Sequence, residues 1–457
     1  MPESLDYLAI GAYLVVLLGV GYYGARMTKT EEDFWVAGRR LPLWMYGPTM
    51  AAVILGGAST IGGTELGYED GLSGAWLVIW IGLGITALGI LLSTRLSELS
   101  AVSLSEALHD RFGEGARYVS AVIVIVNCLL LVVTQMTAIG EILRIIFDVS
   151  LPLAIVLGGG VIIAYTTAGG MWSVTITDFL QFVIMTVGVF FLLLPLGLFE
   201  VGGWQGLENQ LDAGHTSPVG VGTREIFTLF VLYFFGMIVG QDIWQRVFTA
   251  QDDATARTGT LLAGFYSVAY GIVAAVLGMI ALVTLDLQNG GGAFPALTLS
   301  LLPAGLAGLL LSAAISATMS TADSNLLASS TVLVNDILDP VLDYDGEESL
   351  IRWTRVLILG FGVVAIAIAV LIQDVINALN IAYALLTGGL FVPVLAAFFW
   401  RRATSTGVIA AMGTSIAVIL LSLNVYGLDS TVPILYGIST NLLVLVGVTL
   451  LTSDGNP

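Results

Sequence analysis

The sequence predicts an all-α integral membrane protein of thirteen transmembrane helices, ten of which form two five-helix blocks inserted in opposite senses. Three observations predict it. Of 457 residues, 57% are apolar and 11% are charged, whereas a soluble chain carries roughly 25% charged residues. The apolar residues gather into thirteen windows of the length a bilayer-crossing helix needs, about 20 residues each. Two of those windows, five apart in order, are interrupted near their middles by glycines and polar groups.

The windows are 5–25, 43–65, 72–93, 117–146, 151–170, 175–199, 225–247, 257–285, 303–334, 350–372, 375–400, 404–425 and 431–452. So apolar a chain cannot cover itself with polar groups in water, which excludes a soluble multidomain enzyme and a disordered scaffold. A net charge of −18 would repel phosphate backbones, so no nucleic-acid partner is expected. The single cysteine, Cys128, allows no internal disulfide, and His109 and His215 stand in polar stretches that do not suggest a metal centre. The first window is preceded by the acidic leader Met1-Pro2-Glu3-Ser4-Leu5-Asp6, with Arg26 and Lys29 behind it. That is the reverse of a cleaved signal peptide.

Basic residues set the orientation, because they concentrate in cytoplasmic loops. With thirteen helices and the N-terminus outside, the cytoplasmic set contains Arg26, Lys29, Arg39, Arg40, Arg95, Arg111, Arg117, Arg246, Arg257, Arg352, Arg355, Arg401 and Arg402. The opposite set contains only Arg144 and Arg224. A plasma-membrane protein with N-terminus out and C-terminus in is expected. Residues 94–116 read as an amphipathic cytoplasmic segment lying along the membrane. Residues 201–223 read as an external loop, and 286–302 as another with a short helix. The whole chain is expected to be one transmembrane domain: an extra helix (5–25), a first repeat (43–199), a second repeat (225–400) and two C-terminal helices (404–452).

The interruptions point to function. In the second window, Gly56-Gly57-Ala58-Ser59-Thr60-Ile61-Gly62-Gly63-Thr64 places four glycines and three hydroxyls near mid-membrane. In the seventh, Gly236 and Gly240 precede Gln241 and Asp242. Polar backbone at this depth is tolerated where it is packed or lines a cavity, and close helix packing is one reading of each break. Together they open two five-helix blocks, and an odd block length inverts the second relative to the first. Discontinuous helices in inverted repeats are how secondary transporters bind substrate and ion. No repeated pore segment, nucleotide-binding loop around the sole lysine Lys29, or His-Glu-x-x-His motif supports a channel, a nucleotide-driven pump or a zinc protease.

In the ninth window, Ala317, Ser320 and Thr321 stand at i, i+3 and i+4 and share a helix face. A carbonyl and two hydroxyls suit a hard cation such as sodium, with further carbonyls expected from the Leu55-Gly56-Gly57 break. The alternative is that Ser320 and Thr321 bond back to their own helix. Asp323, two residues on, is either a functional intramembrane carboxylate or solvated near the helix end.

Four segments resemble the sodium:solute symporter family. Glu32-Asp33-Phe34-Trp35-Val36-Ala37-Gly38-Arg39 is similar to its acidic-Phe-x-x-Ala-Gly-Arg run. Thr166-Thr167-Ala168-Gly169-Gly170-Met171-Trp172-Ser173, followed by Thr177-Asp178 and Gln181, resembles its Gly-Gly signature. Gln245-Arg246 resembles its Gln-Arg pair, and Met319-Ser320-Thr321 through Leu327 its Met-Ser-Thr stretch. The resemblance implies a leucine-transporter type fold and uptake of a small organic solute (amino acid, carboxylate or sugar) by sodium-coupled alternating access, with sodium as co-transported ion. It implies sodium ligation by Ala52, Leu55, Ala317, Ser320 and Thr321, with Asp178 on the sodium exit path. A helix N-cap is the other reading of Asp178. Substrate is expected near Ala58, Ser59 and Thr60 and near Phe234, Phe235 and Gln241. The half-helix N-terminus favours a carboxylate-bearing molecule. Ile54 stands where the proline-transporting branch has an acidic residue, and the sugar branch's amide and acidic set is missing.

Proton coupling is an alternative, as is a non-transporting sensor, although the chain ends at Pro457 without a signalling domain. The expected partners are a solute, sodium and lipid, with no obligatory protein partner. The acidic excess and near-absence of lysine suggest a halophilic prokaryote, since hydrated carboxylates keep loops soluble in concentrated salt.

Overall fold

The structure, a computed structural model, describes residues 2–93, 103–168, 171–287, 289–339, 347–428 and 430–452. Arg95, the Gly169-Gly170 pair and residues 94–102 of the expected amphipathic segment lie outside them. Among the described residues there is no strand; a single bridge joins Leu41 to Ala250.

The chain starts with α1 (Ser4–Met27), the short α2 (Glu31–Val36) and α3 (Leu43–Ala52). A tight turn over Val53–Leu55 and a wide turn over Ala58–Gly62 lead into α4 (Gly63–Asp70). Gly71, at φ +63°, then redirects the chain into α5 (Trp76–Leu91). Next come α6 (Leu104–Phe112), α7 (Glu114–Phe147), α8 (Leu151–Ala168) and α9 (Met171–Thr186), which runs through a wide turn into α10 (Leu194–Val201). The loop expected at 201–223 contains two short helices, α11 (Gly203–Gln210) and α12 (Ala213–Thr216). Asp212 caps the second by accepting the N–H groups of Gly214 and His215.

The seventh window folds as α13 (Thr223–Leu229), a wide turn over Phe230–Phe234, α14 (Phe235–Ile238) and α15 (Gln241–Val247). Then follow α16 (Asp253–Thr284), α17 (Ala293–Leu301), α18 (Leu306–Leu333), α19 (Glu347–Ile372), α20 (Val375–Phe399), α21 (Ser405–Tyr426) and α22 (Val432–Thr452).

Eleven helices among the described residues are long and apolar enough to cross a membrane, against the thirteen expected. The difference has a physical reason. The second window is split at Gly56, so its first half, Leu43–Leu55, is apolar but short, and Leu151–Ala164 is likewise short.

Two groups of helices pack closely within themselves and are joined through α9, which packs on both α3 and α18. In one, α16 lies along α3, α4 and α5. The approach is very close: a methyl built on Gly278 of α16 would lie 2.2 Å from the Thr64 carbonyl oxygen. In the other group, α7 packs against α18, α8 and α20, and α19 packs on α8. Helix α18 is the centre of the molecule, with nearly every side chain from Leu310 to Val332 buried. Helix α1 is tied to its start, where Asp6 Oδ1 accepts the Gly305 and Gly308 N–H groups at 2.8 and 2.9 Å. At the other edge, Asn441 of α22 donates to the Gly388 and Gly389 carbonyls of α20, both at 2.8 Å. The outside of the assembly shows large apolar side chains such as Val15, Leu157, Phe191, Leu421 and Leu451, as a lipid-facing surface requires.

Candidate functional site

The site grows from the break in the second window. Gly56 is extended (φ −66°, ψ −176°), so the α-helical ladder stops there and restarts with the Thr60 N–H on the Gly56 carbonyl at 3.0 Å. A break in apolar surroundings leaves donors and acceptors that must find partners. Three side chains supply them. Gln135, in the middle of α7, accepts the Gly57 N–H at 2.7 Å. Thr60 turns its own hydroxyl back to the Leu55 carbonyl at 2.8 Å. Tyr270 of α16 lies 2.7 Å from the Thr60 hydroxyl; that hydroxyl's proton is spent on Leu55, so Tyr270 is the donor.

The break lies directly on α18. A methyl on Gly56 would be 2.7 Å from Thr321 Oγ1 and 3.0 Å from Gln135 Oε1. Only a residue without a side chain lets backbone approach a hydroxyl this closely. Thr321 donates to the Ala317 carbonyl at 3.2 Å, the back-bond anticipated from the helix spacing. Ser320 does something else: it donates to Asp178 Oδ1 of α9. In both cases the hydroxyl proton is used elsewhere and the oxygen lone pairs stay available to a cation. The Ala317 and Leu55 carbonyls each keep a second lone pair, and Ala52 closes the preceding turn of α3. Ala52, Leu55, Ala317, Ser320 and Thr321 are all buried.

Asp178 does not cap a helix. Helix α9 begins at Met171, so Asp178 stands two turns inside it, fully buried. The N-cap reading fails because the helix starts earlier than the apolar window suggested. Its second oxygen faces Arg246 Nη2 of α15 at 3.3 Å, and the same nitrogen donates to Ser324 at 3.0 Å. Arg246, counted from sequence as a loop-flanking charge, is only 1% exposed. Asp323 is not solvated either: it is buried and hydrogen-bonded to Thr166 of α8.

The second break mirrors the first. Gly240 is extended (φ −68°, ψ 122°), and the Trp244 indole N–H satisfies the freed Ile238 carbonyl at 2.8 Å. Phe235 stacks on Phe391 with ring centroids 4.3 Å apart, and Phe234 meets Phe230 at 5.0 Å. Of the expected substrate residues, Ala58, Ser59 and Thr60 sit in the buried wide turn after Gly56, a turn that α20 also contacts. Gln241 is directed elsewhere: its Oε1 accepts the Leu104 N–H at the start of α6 at 2.7 Å. Gln135 and the depth of Arg246 were missed by sequence reasoning. A lone amide within the apolar run Leu129–Val133 to Ile139 was the signal for the first.

The profile of the sodium:solute symporter family matches residues 34–414. The chain belongs to the sodium:solute symporter family. Its relatives cover nearly the whole chain. It is 27% identical to the high-affinity proline transporter PutP of Bacillus subtilis (strain 168), over 95% of this chain and 96% of the relative. It is 25% identical to the sodium/glucose cotransporter of Vibrio parahaemolyticus, over 90% and 84%. It is also 25% identical to the sodium/sialic acid symporter NanT of Aliivibrio fischeri, over 91% and 87%. Among solved structures, a Na+-coupled sialic acid symporter in a substrate-bound outward-open state superposes with a TM-score of 0.84 at 21% identity. That match covers 99% of this chain and 98% of the other. Mhp1, a nucleobase-cation-symport-1 family transporter, gives 0.58 at 17% identity over 91% and 94%. The fold is that of the leucine-transporter type. As a sodium:solute symporter the protein is a multi-pass membrane carrier, not an enzyme, and it couples a small solute to sodium.

Proposed function

We propose that this symporter binds its coupling sodium between the broken second crossing and α18, through the carbonyls of Ala52, Leu55 and Ala317 and the hydroxyls of Ser320 and Thr321. The observation that carries this reading is the contact between Gly56 and Thr321. It supports the reading because the break approaches a hydroxyl face whose protons are already donated elsewhere. Five neutral oxygens suit a hard monovalent cation.

The chain crosses the membrane thirteen times, with α3 and α4 forming the two halves of one crossing. The two inverted repeats are 43–199 and 225–400, the N-terminus is outside and the C-terminus is cytoplasmic in the plasma membrane. The basic residues support that orientation. The acidic excess supports a halophilic prokaryote as source. Solute binds beside the breaks, near Ala58, Ser59 and Thr60 and near Phe234 and Phe235; Gln241, expected from sequence to join them, is bonded to Leu104 instead. Half-helix N-termini favour a carboxylate-bearing solute. Sodium binding stabilises the outward-open form, solute closes it, and sodium leaves inward past Asp178. There it must compete with Arg246 for the carboxylate. The membrane potential adds about 2.3 kcal/mol per charge per 100 mV.

The test is a thermal-shift screen of the purified protein against a nutrient panel, with sodium or with choline as the only cation. A true solute raises the midpoint in sodium, because a ligand stabilises the state it binds. Equal shifts in choline would remove the sodium coupling from this reading.

A further inference from the structure

Gln135 contributes no oxygen to the proposed sodium site, yet it touches the backbone that does. Its Oε1 accepts the Gly57 N–H at 2.7 Å and would lie 3.0 Å from a methyl on Gly56. Gln135 is 2% exposed, so no water competes for that N–H. The amide belongs to α7, which packs against α18, whereas the other brace of the break, Tyr270 on Thr60, comes from α16. The break beside the Leu55 carbonyl is therefore held by two hydrogen bonds, to Gly57 and to Thr60, that come from the two different helix groups. Of the two, only the Gln135 bond joins the break to the group that contains Ser320 and Thr321.

We infer that Gln135 is a positioning residue for sodium coupling, whose side-chain oxygen holds the Gly56–Gly57 break so that the Ala52 and Leu55 carbonyls face α18. This rests on the sodium site proposed above. The acceptor must be an uncharged or anionic oxygen at the end of a three-bond side chain. Asparagine is a methylene short, and an apolar residue would leave the Gly57 N–H buried and unsatisfied. With the bond lost, the half-helix can shift, and the carbonyls lose their aim without any ligand having been removed.

The experiment titrates sodium against purified full-length protein and reads the half-saturating concentration from thermal stabilisation, with choline holding ionic strength constant. Gln135→Leu and Gln135→Met are each expected to raise that concentration on the order of tenfold. Gln135→Glu, which keeps an acceptor at the same reach, should stay within about threefold of the parent or bind more tightly. Two apolar variants are used so that a misfolded one, identified by gel filtration, leaves the other to decide. Titration of the folded apolar variants at the parent's concentration would overturn the inference, as would a Gln135→Glu as weak as Gln135→Met. Ser320→Ala and Thr321→Ala run in parallel. If they too titrate like the parent, the sodium site itself is misplaced; if they weaken and the Gln135 variants do not, only the role of Gln135 falls.

Discussion

Asp178 and Arg246 form an ion pair at 3.3 Å between α9 and α15, with both side chains only 1% exposed. Each charge is out of water and relies on the other, and Arg246 Nε and Nη1 have no hydrogen-bond partner among the described residues. Ser320 bonds the opposite oxygen of the same carboxylate, so a residue of the proposed sodium site and a buried cation share one anion.

Removing one partner of such a pair strands the other charge, at a cost of about 3–5 kcal/mol. Arg246→Gln alone, and Asp178→Asn alone, should therefore each lower the unfolding midpoint markedly. Asp178→Asn combined with Arg246→Gln should cost less than the two single losses added together. Denaturation of the four proteins in one detergent measures the coupling; strict additivity would mean the pair does not act as a unit.

Ser320→Ala and Thr321→Ala each delete one proposed sodium oxygen without opening a large cavity. Each is expected to raise the sodium concentration for half-maximal response by roughly tenfold, at the low end for loss of an ion-site partner. Sodium titration of thermal stability provides the check, and a parental curve in both variants would remove these residues from the site.

Gly57 is the tightest point of the break. A methyl there would lie 2.2 Å from the Ala138 Cβ, which cannot rotate away. Gly57→Ala should cost about 1–3 kcal/mol as overpacking, with a matching fall in yield of monodisperse protein. Gly57→Ala with Ala138→Gly should recover most of the loss. Failure of the second change to help would show that the cost lies in the backbone rather than in the clash.

At the α1–α3 connection, Asp33 sets an acid limit on stability. Burial would raise its pKa, but hydrogen bonds from Trp172 Nε1 and the Lys29 N–H, together with the Arg40 guanidinium, bring it below the ordinary value. A carboxylate depressed in the folded state stabilises above its unfolded pKa, and that contribution disappears as pH falls through the folded one. The loss should appear below about pH 4. Asp33→Asn should unfold with a flatter acid limb than the parent, and identical limbs would show that the carboxylate does not contribute.

Much of the fold was legible because lipid imposes a simple code. Apolar windows, the glycines at both breaks and the i, i+3, i+4 face of Ala317, Ser320 and Thr321 are local patterns. Both breaks and that face fall on the elements expected, while eleven of the thirteen windows form helices long enough to span among the described residues. Helix starts were less legible. The N-cap alternative for Asp178 fails because the apolar window starts at 175 whereas α9 starts at Met171. For Asp323 the sequence leaves two readings open, because distance along the chain from Asn335 and Asp336 says nothing about what packs over it; the structure buries it.

By itself the sequence determined that the chain is a helical membrane protein, where its helices break, and which residue types stand at the breaks. These follow from the exclusion of unpaired backbone from hydrocarbon. Only the tertiary structure decided what satisfies the breaks. Gln135 reaches Gly57 across 78 residues of chain, Arg246 reaches Asp178 across 68, and Gln241 turns away to Leu104. Such partners are chosen by packing between helices distant in sequence. No local pattern encodes that, because a buried polar group takes whichever partner the packed helices bring within reach.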